Sequence, residues 1–133
     1  MFLLDSSAWL AHLFDEPGAE QVTLLFENTP DDVVISALSI AEVYGRLKAL
    51  GAEAHWEETW ATYSMLFARV LAADEATAHL AIRLRSAATK RLPTIDGLIA
   101  ATAAHHDLTL VHRDPHFAAI PDTLLQQIAL PEK

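Results

Sequence analysis

Four carboxylates carry the chemical interest of this 133-residue chain: Asp5, Glu42, Asp96 and Asp114 each stand at the edge of an apolar element, where a side chain can leave the core and face a cleft. Asp5 closes Phe2-Leu3-Leu4, and Glu42 lies in the first turns of a helix after Val33-Val34-Ile35. Asp96 opens an Ala-rich helix, and Asp114 follows Leu108-Thr109-Leu110-Val111. Each has a local structural role open to it. Asp5-Ser6-Ser7 suits a helix cap, Ser39-Ile40-Ala41-Glu42 matches a capping box, Asp96 complements a helix dipole, and Asp114-Pro115 initiates a turn. Jointly they argue for something else. Ligands of open parallel sheets bind outside the carboxyl ends of the strands, and all four acids map to that edge. Crowded carboxylates repel and raise one another's pKa, whereas Mg²⁺ or Mn²⁺ takes oxygen ligands and leaves water positions open for a phosphate. The chemistry implied is phosphodiester hydrolysis with one or two ions. Asp5 and Asp96 are the expected principal ligands, Glu42 and Asp114 the secondary ones, and Ser6 a supporting hydroxyl.

Other chemistries fit less well. The chain has no cysteine, which removes disulfides, thiolate zinc sites and cysteine nucleophiles, and is compatible with a cytoplasmic location. His112-Arg113-Asp114-Pro115-His116 offers a two-histidine spacing, but the other five of the seven histidines are scattered over helical segments, so zinc is not expected. His112 and Arg113 are instead candidates for touching substrate. With only four glycines there is neither a glycine-rich phosphate loop nor a G-x-S-x-G elbow. A net charge of −9 opposes nucleic acid at long range. Against that, Arg83, Arg85, Lys90 and Arg91 fall together upstream of Asp96, a basic rim in which Arg91 is the candidate substrate contact.

The elements that must position these groups alternate. Strands are expected over 2–5, 33–35, 69–72, 108–112 and 124–129, and helices over 7–14, 18–28, 37–50, 54–68, 74–89 and 95–106. Short apolar runs separated by helices predict parallel strands with crossover helices, within a single domain spanning 1–133. In the third helix Ile40, Val43, Tyr44, Leu47 and Leu50 form the expected buried stripe, leaving Glu42 off it. Trp56, Trp60, Tyr63 and Phe67 share one face of the next helix and are expected in the core, with a partner surface as the other reading. No run reaches the roughly 18 apolar residues of a membrane helix, so no membrane association is expected.

In order, Leu3-Leu4-Asp5-Ser6-Ser7-Ala8, Ile35-Ser36-Ala37 through Glu42, Leu92-Pro93-Thr94-Ile95-Asp96-Gly97-Leu98-Ile99-Ala100-Ala101 and Leu110-Val111-His112-Arg113-Asp114-Pro115-His116-Phe117 resemble the successive motifs of PIN domains, most closely toxin ribonucleases of the VapC type. The resemblance implies a three-layer α/β/α sandwich with a mainly parallel central sheet. It also implies a Mg²⁺- or Mn²⁺-dependent endoribonuclease acting on RNA, the toxin of a type II toxin-antitoxin pair. A cognate antitoxin would block the cleft through a groove at Trp9 to Phe14 and the 37–68 helical pair, and family members often form homodimers. Asp5, Glu42, Asp96 and Asp114 carry over as the family's acidic residues. The chain departs from many relatives at His112, where they place Thr or Ser. Two other functions suit the same residues: a non-catalytic protein-binding module of the same fold, and a receiver-like phosphoacceptor domain, which also needs acids at strand ends.

Overall fold

The computed structural model describes residues 1–133 and has a five-stranded, wholly parallel sheet covered by helices on both faces. The strands are β1 (Phe2–Leu4), β2 (Val33–Ser36), β3 (Val70–Leu71), β4 (Thr109–His112) and β5 (Gln127–Ala129). The helices are α1 (Ser6–Leu13), α2 (Ala19–Asn28), α3 (Ala37–Ala49), α4 (Trp56–Leu66), α5 (Glu75–Ala87) and α6 (Thr94–His105), with short 3₁₀ turns at Pro30–Asp32, Glu53–His55 and Pro115–Ala119. Every expected element is present, the edge strands shorter than their apolar runs.

Strand order is β3-β2-β1-β4-β5, so the direction of winding reverses between β1 and β4. That order is not the 2-1-3-4-5 of receiver-like domains, which removes the phosphoacceptor reading. Leu4 pairs with Ile35 on one side and Val111 on the other, placing Asp5, Ser36 and His112 together at the carboxyl edge.

Alternation along the central strands builds two cores. Leu3, Val34 and Leu110 point to one face and pack with Leu84 of α5, Ile99 of α6 and Phe117. Leu4, Val33, Ile35 and Val111 point to the other and meet Trp9 of α1, Val22 of α2, Val43 of α3 and Tyr63 of α4. Both faces are buried, which explains why these strands read as unbroken apolar runs rather than as alternating ones. Trp9 is fully buried with the rings of Trp56, Trp60, Tyr63 and Phe67 at 5.1–6.2 Å, so the aromatic face of α4 is core packing.

Two local expectations are corrected. The cap of α3 is Ser36, whose hydroxyl accepts from the Leu38 N–H; Ser39 is buried one turn inside the helix, and the Ser39–Glu42 capping box does not form. β2 runs directly into α3, so the helix starts before the box. In the α3 stripe Val43 and Leu47 are buried, but Tyr44 and Leu50 are exposed, Tyr44 meeting the edge of Trp56 at 5.8 Å.

Candidate metal and substrate site

Where the winding reverses, two adjacent strands send their following segments to opposite sides, opening a crevice at the carboxyl edge. Asp5 follows β1 at that edge and caps α1, accepting from the Ala8 N–H at 2.8 Å. Its carboxylate also accepts from the Ser7 hydroxyl at 2.7 and 2.9 Å. Ser7 Oγ in turn accepts the Arg113 N–H at 2.8 Å, which ties the ends of β1 and β4 together through one hydroxyl. Asp114 begins the turn after β4, its carboxylate accepting the His116 N–H at 2.9 Å. Asp96 sits in the first turn of α6, which Pro93 precedes and whose Gly97 lies 3.0 Å from Arg85 Cδ, measured from where a Cβ would stand. Glu42 projects from the exposed side of α3, where Ser6 Oγ donates to it at 2.5 Å.

These carboxylates come from four separate segments, and charge links some of them: Asp114 and Asp96 act on Asp5, and Asp114 and Glu42 act on Asp96. Asp5 is 3% exposed, and its pKa is pushed up to about 7, first by burial and then by the charges of Asp114 and Asp96, against the hydrogen bonds from Ala8 and Ser7. Asp96 is raised to about 6, chiefly by burial and then by Asp114 and Glu42, with His116 opposing. The His116 Nδ1 lies 2.8 Å from Asp114 Oδ1 and 3.5 Å from Asp96 Oδ2. One ligand atom each from Asp96, Asp114 and His116 falls within a 4.8 Å cluster. Asp5 and Glu42 stand outside that cluster. Carboxylates whose pKa values burial and neighbouring charge raise, as for Asp5 and Asp96, fit a hard divalent cation that would favour their ionised forms.

The remaining expected residues divide. Ser6 adjoins Glu42, and Arg91 lines a cleft of about 460 Å³ with Lys90, Pro115 and His116, next to the acids. His112 and Arg113, expected at the substrate, are instead engaged within the fold. His112 is buried, with Nε2 on Gln127 Oε1 at 2.8 Å and Nδ1 accepting the Asp114 N–H at 3.2 Å; burial lowers its pKa and favours the neutral ring that this acceptor role requires. Arg113 turns its guanidinium to Glu16 Oε1 at 2.7 Å and the Pro17 carbonyl at 3.0 Å. Arg85 donates from Nε to the Leu92 carbonyl, fixing the approach to α6.

Residues 2–122 match the PIN domain family. The chain is 34% identical over 122 residues to Toxin FitB of Neisseria gonorrhoeae, covering 86% of this chain and 88% of that protein. Its fold superposes on the crystal structure of FitAcB from Neisseria gonorrhoeae with a TM-score of 0.76 at 31% identity, over 96% of each chain. A toxin-antitoxin complex from Klebsiella pneumoniae gives 0.74 at 25% identity over the whole of both chains.

Proposed function

This chain belongs to the PIN domain family, and from that premise we propose that it is a metal-dependent endoribonuclease that hydrolyses RNA phosphodiester bonds as the toxin of a toxin-antitoxin pair. What supports the reading is the clustering of Asp96 and Asp114 with His116 at the carboxyl edge of the sheet, with Asp5 at the end of β1 near enough for their charges to raise its pKa and Glu42 near enough to raise that of Asp96. Similarity to Toxin FitB and to a toxin-antitoxin complex supports the toxin role and an antitoxin protein as partner. Homodimerisation belongs to the same reading, and light scattering of the purified protein tests it.

Asp5 and Asp96 would hold Mg²⁺ or Mn²⁺, with Glu42 and Asp114 completing the acidic set. When bound, such an ion polarises a phosphate oxygen and acidifies an attacking water. The chain's own residues prepare for that chemistry. Ser7 and the Ala8 N–H orient Asp5, Ser6 orients Glu42, and the His112 ring holds the backbone at Asp114. Asp5, Glu42 and Asp114 are thus positioned before substrate arrives, which limits reorganisation during reaction. Lys90 and Arg91 would receive phosphates of the strand along the cleft beside His116, a local attraction that works against the overall −9.

The test is cleavage of total RNA with Mg²⁺ or Mn²⁺ by the wild type and by Asp5→Asn and Asp96→Asn. Both substitutions remove charge at nearly constant volume, so activity should fall by orders of magnitude in folded protein. Wild-type rates in both variants would end the nuclease reading, and a wild type that binds Mn²⁺ without cutting RNA would favour the non-catalytic module.

A further inference from the structure

We propose that His116 is a nitrogen ligand in the cation site formed by Asp96 and Asp114, and that it biases this site toward Mn²⁺ over Mg²⁺. The proposal rests on the metal-dependent reading above and deepens it by assigning a residue that sets which ion is held.

Asp96 belongs to α6 and Asp114 to the turn after β4, and the His116 Nδ1 faces both, at 3.5 and 2.8 Å. An octahedral ion with bonds of about 2.1 Å holds neighbouring ligands about 3 Å apart and opposite ones about 4.2 Å apart. The Asp96, Asp114 and His116 ligand atoms, all within 4.8 Å of one another, can therefore meet on a single ion with small side-chain adjustments. A half-exposed imidazole has the freedom to make them, since 50% of the His116 side chain is open to solvent. The local chain also aims it: the Asp114 carboxylate holds the His116 N–H, closing the turn so that the ring folds back over the acid that starts it.

No other histidine competes for the role. His112, four residues earlier, has both ring nitrogens committed to Gln127 and to the Asp114 backbone and is buried behind the site. The chemical consequence follows from ligand type. Mg²⁺ and Mn²⁺ both favour oxygen donors, but Mn²⁺, the first of the transition series, accepts an imidazole nitrogen more readily than Mg²⁺ does. Replacing one oxygen or water position by Nδ1 should raise the affinity for Mn²⁺ and leave that for Mg²⁺ little changed.

The experiment uses the full chain and needs no RNA. Titration calorimetry with MnCl₂ and with MgCl₂ is run on the wild type, His116→Gln and Asp96→Asn, and pulsed electron paramagnetic resonance of the Mn²⁺ complexes reads nitrogen coupling to the ion. Because His116 lies on the surface of a short turn, His116→Gln should melt with the wild type. The expected result is a ¹⁴N coupling in the wild type that vanishes in His116→Gln. With it goes a loss of Mn²⁺ affinity of at least about tenfold, the lower end of what removing even a group that orients a ligand costs, and a much smaller loss for Mg²⁺. Saturable Mn²⁺ binding without ¹⁴N coupling, or equal losses for both ions, would overturn the proposal while leaving the metal site standing. Absence of Mn²⁺ binding in the wild type, or binding undiminished in Asp96→Asn, would overturn both.

Discussion

Replacing Asp5 by Asn should make the protein more stable when divalent ions are chelated. Asp5 is buried, and its carboxyl is raised from the model-compound value of 3.8 to about 7. Its folded-state pKa therefore exceeds its unfolded one. The protonated form costs nothing below about pH 4, and the penalty for ionising it grows as pH rises and is complete above about 7. At roughly 1.4 kcal/mol per pH unit the full penalty is about 4–5 kcal/mol, with local relaxation bringing it to about 2–4 kcal/mol. Asn is neutral throughout, and its carbonyl can keep the Ala8 N–H and the Ser7 hydroxyl. For 133 residues the unfolding entropy is roughly 0.3 kcal/mol per kelvin, so the gain corresponds to about 7–14 °C in Tm. Melting followed by circular dichroism in EDTA at pH 8 and pH 4 measures it. The variant should lead at pH 8, and the gap should close to within about 0.5 kcal/mol at pH 4. An Asp5→Asn protein that melts at or below the wild type at pH 8, or a gap that persists at pH 4, would refute the electrostatic account.

Further outcomes follow from single contacts. Ser7→Ala removes the hydroxyl that joins Asp5 to the Arg113 N–H; a loss of about 1–2 kcal/mol in urea denaturation is expected, together with weaker Mn²⁺ binding by calorimetry. Gly18→Ala should cost at least about 2 kcal/mol in the same assay, because the residue has φ +100° and a Cβ there would stand 2.9 Å from Leu130 Cβ. Trp9→Ala empties the centre of the aromatic cluster and should cost about 3–5 kcal/mol, whereas Trp56→Ala, half-buried at its margin, should cost clearly less.

Legibility from sequence tracked how local the determining forces are. Strands buried on both faces announce themselves as short apolar runs, and helices as the segments between them, so layer order and the edge that collects the acids followed directly. Asp5, Asp96 and Asp114 were readable because each is also a cap, a first-turn acid or a turn initiator, roles written in neighbouring residues. The fate of Arg113 was not, because its partner Glu16 lies 97 positions away and only the fold brings them together. His112 and His116 show the same limit at shorter range. Their spacing drew attention to both, but which ring is buried depends on whether the residue falls inside β4 or in the turn beyond it. The Asp114-Pro115-His116 turn was the local signal that could have singled out His116. The Ser39–Glu42 pattern failed for a different reason: an earlier hydroxyl, Ser36, captured the cap as soon as the strand ended.

The brevity of the outer strands has its own consequence. β3 has two residues and β5 three, so neither sheet border offers a run of free amide and carbonyl groups long enough for another chain to zip onto. Contact between copies, or with any other protein, is thereby steered to side chains on the helical shells, where shape and charge discriminate among partners far better than a repetitive backbone ladder does.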